Sequence, residues 1–318
     1  MVSQTFRDFE FLIFDDGCTD GSVEIIRSCG DRRIRLIRNG RTMGVTATLN
    51  RGFELSGGEY IARMDADDVC LPERFARQVS FLDNHPEVGA CGTWIGFIGD
   101  REGEVQRYPA DPPDIQCAFL FGNSMAHPTL MLRREMFRKA GLRYDPTRPW
   151  VEDYDLWVRA ARHFPLANIP DKLLLYRLHP DSVSFRKSEE QVEAARAVIR
   201  EQIGWLGIAP TEEEVALHGE VSQGKWRREG KFLLGVLEWM EKLKRGNDSK
   251  GVFPEPAFSA ALEERWYAAC AAAKGLGWWT WKTFRKASFA CRGGIGWKRR
   301  FRLAAKCVQG SLNPVGKG

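Results

Sequence analysis

Asp65, Asp67 and Asp68 fall within four positions at the end of an apolar run, Tyr60-Ile61-Ala62-Arg63-Met64. Carboxylates packed that closely repel one another and resist leaving water unless a cation or hydrogen-bond donors face them. A hard divalent ion suits them: Mg2+ or Mn2+ is commonly held by one or two carboxylates together with the phosphates of a substrate. An isolated Asp-x-Asp is more often a solvated acidic turn, so the weight of this one depends on its company. Two further acidic groups stand out. Asp15-Asp16 follows the apolar run at residues 9–14, and Glu152-Asp153 precedes Tyr154-Asp155-Leu156-Trp157.

The elements that position these groups follow from the pattern. Residues 9–14 are β-rich and apolar enough for a strand buried on both faces. The Asp15–Ser22 cluster is a turn, with Ser22 as N-cap of a helix over 23–29. Residues 33–38 alternate as a second strand, and 44–55 form a helix with Val45, Leu49 and Phe53 on one stripe. Residues 59–64 form a third strand that delivers the acidic cluster. This order predicts parallel pairing in a doubly wound sheet. Both acidic clusters then lie at strand C-terminal ends on one edge, where open α/β sheets take ligands. Downstream the pattern predicts a helix over 72–86, strands over 88–98 and 128–132, and a helix over 134–140. A helix over 150–163 carries Glu152 and Asp153 in its first turn, where the dipole modestly favours carboxylates. A last strand covers 172–179. From Ser188 onward the spacing is helical, over 189–206, 211–217, 225–245 and 256–274.

Composition narrows the class. A hydrophobic fraction of 43% over 318 residues supports a sizeable core. The formal net charge is +5, yet residues 271–318 contribute +11 and the rest carries −6. No acidic residue follows Glu264. In this basic tail, Trp278, Trp279, Trp281, Phe284, Phe289, Trp297 and Phe301 stand among Lys and Arg. That mixture fits either an interfacial membrane segment or helices docked through their aromatics. A basic aromatic tail is not by itself a nucleic-acid module, so no nucleic-acid partner is expected. The eight cysteines include no C-x-x-C pair, which points away from structural zinc and toward a reduced cytoplasmic setting. Arg7, Asp8 and Glu10 interrupt the place of a signal peptide, and no apolar run is long enough to span a bilayer.

Taken together, Ser3-Gln4-Thr5-Phe6-Arg7-Asp8-Phe9-Glu10, Asp15-Asp16-Gly17-Cys18-Thr19-Asp20 and Gly58-Glu59-Tyr60-Ile61-Ala62-Arg63-Met64-Asp65-Ala66-Asp67-Asp68 resemble the family 2 glycosyltransferases of the GT-A fold. Leu71-Pro72-Glu73-Arg74, His127-Pro128, Glu152-Asp153-Tyr154-Asp155-Leu156-Trp157 and Tyr176-Arg177-Leu178-His179 match in order and spacing, so the resemblance covers roughly residues 3–185. It implies a Rossmann-like mixed α/β sheet with helices on both faces, followed by a helical extension. It also implies inverting transfer of a sugar from a nucleotide-diphosphate sugar to a hydroxyl acceptor in cell-surface glycan synthesis, with Mg2+ or Mn2+. By position, Asp15, Asp16 and Asp65 face the donor nucleotide, Asp67 binds the metal and Asp153 is the catalytic base. His179 either completes the metal site or is structural. Glu152 either orients Asp153 or an Arg, or binds acceptor. Arg63 can pair with the carboxylates, whereas His127, Asp68 and Asp155 are expected to be structural.

Two departures accompany the resemblance. Cys18 stands where Ser is usual. The family also starts with a strand and helix ahead of the Ser-Gln-Thr-Phe segment, a unit the sequence lacks. Its lack implies exposed strand edges and weakened donor binding, and opens the alternative of an impaired or non-catalytic sugar-nucleotide- or glycan-binding protein. The expected organisation is a catalytic domain over 1–187, a helical extension over 188–275 and a basic aromatic tail over 276–318. The expected location is cytoplasmic, with possible peripheral contact to an anionic membrane surface serving a glycan or lipid-linked acceptor.

Overall fold

A computed structural model describes residues 1–99, 101–178, 188–289 and 295–312. The chain forms two compact units, one of residues 1–115 and 123–194, the other of residues 116–122 and 195–318.

In the first unit, β1 (Phe11–Asp15) and β2 (Ile34–Arg38) pair in parallel as a two-stranded sheet. The third strand, β3 (Tyr60–Ala62), does not join them. It runs antiparallel to β7 (Met131–Arg133) at the edge of a six-stranded sheet. The expectation of one parallel sheet through the first three strands is therefore corrected. Arg133 explains the preference for β7: its guanidinium lies over the Tyr60 ring at 5.1 Å and its Nη1 donates to Glu59. The order of the larger sheet is β3-β7-β5-β8-β4. Its centre is β5 (Ala90–Gly99) parallel to β8 (Leu166–Leu178). The short β4 (Val69–Cys70) closes one edge, and β6 (Val105–Gln106) is a side branch on β5. Among the described residues β1 has one ladder partner, β2, and β3 has one, β7.

Helices α1 (Ser22–Ser28), α2 (Val45–Leu55) and α3 (Arg74–Asn84) follow the first strands. Ser22 lies inside α1 and Gly21 is its N-cap, because the Asp20 carboxylate accepts from the Ser22 amide and turns the chain one residue earlier. Residues 128–129, expected as the start of a strand, instead belong to a 3-10 turn over His127–Thr129. Pro128 offers no amide to a ladder, and the Thr129 hydroxyl donates back to the Ala126 carbonyl. Pro112–Phe119 is a helix, α4. Helices α5 (Arg134–Lys139) and α6 (Glu152–Ala160) complete the unit's described helices up to α7 (Ser188–Trp205), which runs on into the second unit.

The core of the larger sheet is built on Phe75, Leu82, Val88, Cys91, Met131, Ala167 and Ile169. Two polar side chains of α3 are buried with it, Arg74 and Gln78, both 0% exposed. Arg74 has no carboxylate partner among the described residues. Its Nη2 donates to the carbonyls of Arg63 at 2.8 Å and Leu130 at 3.2 Å, and its Nε donates to Gln78 Oε1 at 2.8 Å. The Gln78 amide in turn donates to the carbonyls of Cys91 and Thr129. Gln4 ties the N-terminal segment to the same helix by accepting from the Phe75 amide and donating to the Leu71 carbonyl.

The second unit is helical. After α7 come α8 (Glu212–Ser222), α9 (Gly230–Lys250), α10 (Ala257–Ala272), α11 (Trp278–Phe284) and α12 (Trp297–Leu312). Thr211 and Glu214 form a reciprocal capping box at the start of α8. Trp239 and Trp266 fill the core, and buried His218 bridges the Leu120 carbonyl and the Trp239 indole N–H. Of the tail aromatics, Phe284 and Phe289 are buried, whereas Trp278, Trp279, Trp297 and Phe301 face solvent. No described helix is long and apolar enough to cross a membrane.

Arg74→Met should cost about 2–4 kcal/mol, because it leaves buried carbonyls and an amide oxygen without donors. Chemical denaturation reads this directly, and an unchanged midpoint would show that the guanidinium holds nothing.

Candidate active site

The first acidic pair sits where β1 ends. Both oxygens of Asp15 are engaged: Oδ1 accepts from the amides of Gly17 at 3.1 Å and Cys18 at 2.8 Å, and Oδ2 accepts from Arg38 Nε at 2.9 Å. The Cys18 amide, with Arg38 and Gly17, holds its pKa down at about 2 despite burial. Gly17 has φ 99°, and a Cβ there would meet the Thr42 hydroxyl at 2.8 Å. Only glycine fits this turn without strain. Asp16 faces the other way. It accepts from Asn39 Nδ2 at 2.7 Å and from the amides of Met43 at 2.8 Å and Gly44 at 2.9 Å, just ahead of α2. Burial pushes its pKa up, but these donors outweigh it and the net shift is downward.

The second group leaves β3 through Arg63. The Arg63 guanidinium forks onto the Asp65 carboxylate, with Nη1 at 2.5 Å from Oδ2 and Nη2 on Oδ1, so the expected pairing of Arg63 with a carboxylate is present. Burial raises the Asp65 pKa, Arg63 lowers it, and the Asp67 charge raises it again. Asp67 is exposed and its backbone carbonyl accepts from Arg177 Nε at 2.8 Å. Asp68 is buried. Its Oδ1 accepts from the Arg177 amide at 2.9 Å, while its Oδ2 is buried without a hydrogen-bond partner among the described residues. Burial, with the charges of Asp65 and Asp67, drives its pKa up to about 7 against the Arg177 amide.

The third group opens α6. Asp153 Oδ1 accepts from the Tyr154 amide at 2.7 Å, and Oδ2 accepts from Asn123 Nδ2 at 2.8 Å. The Met125 amide donates to Asn123 Oδ1, which fixes the Asn123 amide with its NH2 toward Asp153. Asn168 pins this loop from below by donating to the Ser124 and Pro109 carbonyls. His127 Nδ1 lies 3.9 Å from Asp153 Oδ2, and its Nε2 lies 2.9 Å from the Tyr144 hydroxyl. Burial and the Arg63 charge hold the His127 pKa well below the ordinary range, so the ring is neutral. Asn50 of α2 accepts from the Tyr144 amide and donates to its carbonyl. Glu152 stands beside Asp153 with Oε2 buried and without a hydrogen-bond partner among the described residues, and burial raises its pKa. Burial first, then the Glu152 charge, lifts Asp153 to about 6, against the Tyr154 amide, Arg63 and Asn123. The chain enters α6 through Trp150, a non-glycine residue at φ 71°.

Arg63 pairs with Asp65, and its charge also lowers the pKa values of Asp68, Glu152, Asp153 and His127. Asp15 and Asp16 sit at the end of the separate two-stranded sheet. His179 lies outside the described residues. Among the described residues no group of three His, Cys, Asp or Glu is arranged to hold a metal ion. Asp65 is occupied by Arg63, whereas one oxygen of Asp68 is buried without a hydrogen-bond partner among the described residues, and a hard cation such as Mg2+ or Mn2+ fits an oxygen donor of that kind. Sequence reasoning did not single out Asn123, Tyr144 and Asn50, which contact this cluster; His127, expected to be structural, lies beside Asp153. The signal available for Asn123 was only its place four residues before His127.

Residues 1–141 match the family described as "Glycosyl transferase family 2". An uncharacterized glycosyltransferase of Haemophilus influenzae is 31% identical over 215 residues, 64% of this chain and 67% of its own length. The amylovoran biosynthesis glycosyltransferase AmsE of Erwinia amylovora is 30% identical over 213 residues, 64% of this chain and 79% of its own. Among solved structures, S. aureus TarS 1–349 in complex with UDP-GlcNAc aligns with a TM-score of 0.54 at 16% identity, covering 97% of this chain and 86% of that one. At that identity the likeness is one of fold, and it bears out the mixed GT-A sheet with a helical C-terminal region.

The Asp153 surroundings make a stability prediction with a definite sign. The folded-state pKa of about 6 lies above the ordinary carboxylate value of 3.8. The contribution of this proton to stability is complete below the ordinary value and is lost as pH rises through about 6. Asp153→Asn should therefore stabilise the protein at pH 8 by about 1–2 kcal/mol, and the gain should vanish below pH 4. Thermal melts at both pH values check this, and a gain independent of pH would contradict the buried-charge account.

Proposed function

Because the chain belongs to glycosyl transferase family 2, we propose that it moves a sugar from a nucleotide-diphosphate sugar to a hydroxyl of a glycan or lipid-linked acceptor, with inversion. AmsE, named for amylovoran biosynthesis, supports a role in cell-surface polysaccharide synthesis. TarS, solved with UDP-GlcNAc, supports the donor class. The accompanying location is cytoplasmic and peripheral to the membrane.

The observation that carries this reading is Asp153. A carboxylate with a pKa near 6, turned by Asn123 and backed by neutral His127, is ionised at neutral pH yet basic enough to take a proton from an acceptor hydroxyl. Proton removal and attack on the sugar carbon proceed together, while the diphosphate leaves from the opposite side. That single displacement inverts the carbon. Asp16 and Asp65 form the nucleotide side, and Asp15 acts there by fixing the turn that carries Asp16. Asp67 and Asp68 would hold Mg2+ or Mn2+, with His179 a further candidate. When bound, the ion neutralises charge developing on the diphosphate. Glu152 keeps the Asp153 pKa raised through like charge.

Release of nucleoside diphosphate from a panel of UDP- and GDP-sugars, with sugar acceptors and Mn2+, tests the reading. Asp153→Asn should lower kcat by roughly a thousandfold while leaving donor affinity within about twofold. In the parent, kcat should fall about tenfold per pH unit below 6 and level off above it. Turnover that survives Asp153→Asn would remove Asp153 as the base. Asp67→Ala should weaken Mn2+-dependent donor binding about tenfold or more, seen by calorimetry. Equal donor binding with and without EDTA would end the metal assignment. Donor binding without any turnover in the parent would favour the non-catalytic sugar-nucleotide-binding alternative.

A further inference from the structure

Helix α12 carries two apolar stripes where a docked helix needs one. Leu303 and Cys307, one turn apart, are buried. Ion pairs from Arg299 to Glu264 and Arg300 to Glu263 hold that side of the helix to its own unit. On a separate face, Trp297, Phe301 and Val308 fall within about 40° of one another at the helical turn angle. They are 73%, 70% and 45% exposed. Helix α11 packs beside α12 and leaves Trp278 and Trp279 facing water as well. Aromatic side chains of that size, repeated on one stripe, gain nothing from solvent.

The charge beside the stripe says what covers it. Lys298, Arg302 and Lys306 recur at four-residue spacing along one flank. None forms an ion pair among the described residues, and the Lys298 ammonium sits 5.8 Å from the Trp297 ring. No carboxylate follows Glu264 in the sequence to neutralise them. The partner must therefore be apolar below its surface and anionic at it. A bilayer with acidic headgroups has that layering: indoles and phenyl rings seat at headgroup depth, and Lys and Arg meet lipid phosphates. A nucleic acid would use the cations and rings but has no place for Val308. Sixteen residues rising about 1.5 Å each fall short of the bilayer core, so the helix lies along the surface.

We propose that the α11–α12 face is the protein's docking surface for an anionic lipid bilayer, with Trp297, Phe301 and Val308 inserted and Lys298, Arg302 and Lys306 on lipid phosphates. This deepens the peripheral placement proposed above, and it can fail without touching the assignment of the transfer reaction.

Co-sedimentation of the full chain with phosphatidylcholine vesicles, with and without phosphatidylglycerol, tests it. The parent should bind the anionic vesicles, bind neutral ones weakly, and release at high salt. Lys298→Glu/Arg302→Glu/Lys306→Glu should lower affinity by roughly a hundredfold or more. Trp297→Ala/Phe301→Ala should lower it by roughly tenfold or more, and the loss should persist at low salt. Both sets alter exposed side chains, so thermal melts and release of nucleoside diphosphate with soluble acceptors should match the parent. Vesicle binding that survives both sets, or that ignores lipid charge, overturns the proposal. So does a Trp297- and Phe301-dependent dimer in sedimentation velocity without vesicle binding. Lost vesicle binding with intact transfer removes the surface alone, whereas intact vesicle binding without transfer removes the reaction alone.

Discussion

A guanidinium buried without a carboxylate is tolerated only where its hydrogen-bonding nitrogens find acceptors, and Arg74 meets that condition with backbone. Its acceptors are the carbonyls of Arg63 and Leu130, the residues from which the acidic turn and the His127 turn depart. The desolvation cost of the ion thus becomes a positional constraint: any drift of β3 against β7 would strand a buried charge. The requirement reaches further through Gln78, whose amide spans Cys91 and Thr129. One helix thereby ties down the end of β3, the start of β5 and the approach to β7 before any carboxylate is considered.

On that frame the electrostatics are arranged around Arg63. It satisfies Asp65 directly and lowers the cost of keeping Glu152 and Asp153 side by side. Even so, the pKa values of Asp68 and Asp153 stay raised, and among the described residues one oxygen each of Asp68 and Glu152 is buried without a hydrogen-bond partner. Carboxylates held in that state are suited to taking up a proton or a cation.

Much of this was legible in the residues. The acidic clusters, the β–α order and the apolar runs announced an α/β unit, and motif order carried the family. What escaped has physical causes. Three residues of β3 carry too little pattern to name a partner, and a side-chain interaction across sequence, Arg133 on Tyr60, decides it. Nothing near His127 in sequence shows that Asp153 lies 3.9 Å away. Asn123 has no local signature, since its role exists only once Asn168 has folded the loop against α6. The double stripe of α12 was blurred in sequence by buried Phe284 and Phe289, which look the same as exposed Trp297 and Phe301 until burial separates them.

Helix α2 sits half-exposed, and none of its residues is buried. It is held at its start by Asp16, through the Gly44 amide, and in its middle by the doubled contact of Asn50 with Tyr144. Apolar packing yields gradually under displacement, whereas hydrogen bonds fail within about an ångström. Phe53 adds an edge-on contact to the Tyr144 ring at 5.7 Å, and Glu54 adds an ion pair to Arg143. Within that looser packing the polar contacts act as pins, and one belongs to the turn at the end of β1 while the other belongs to the residue that holds His127.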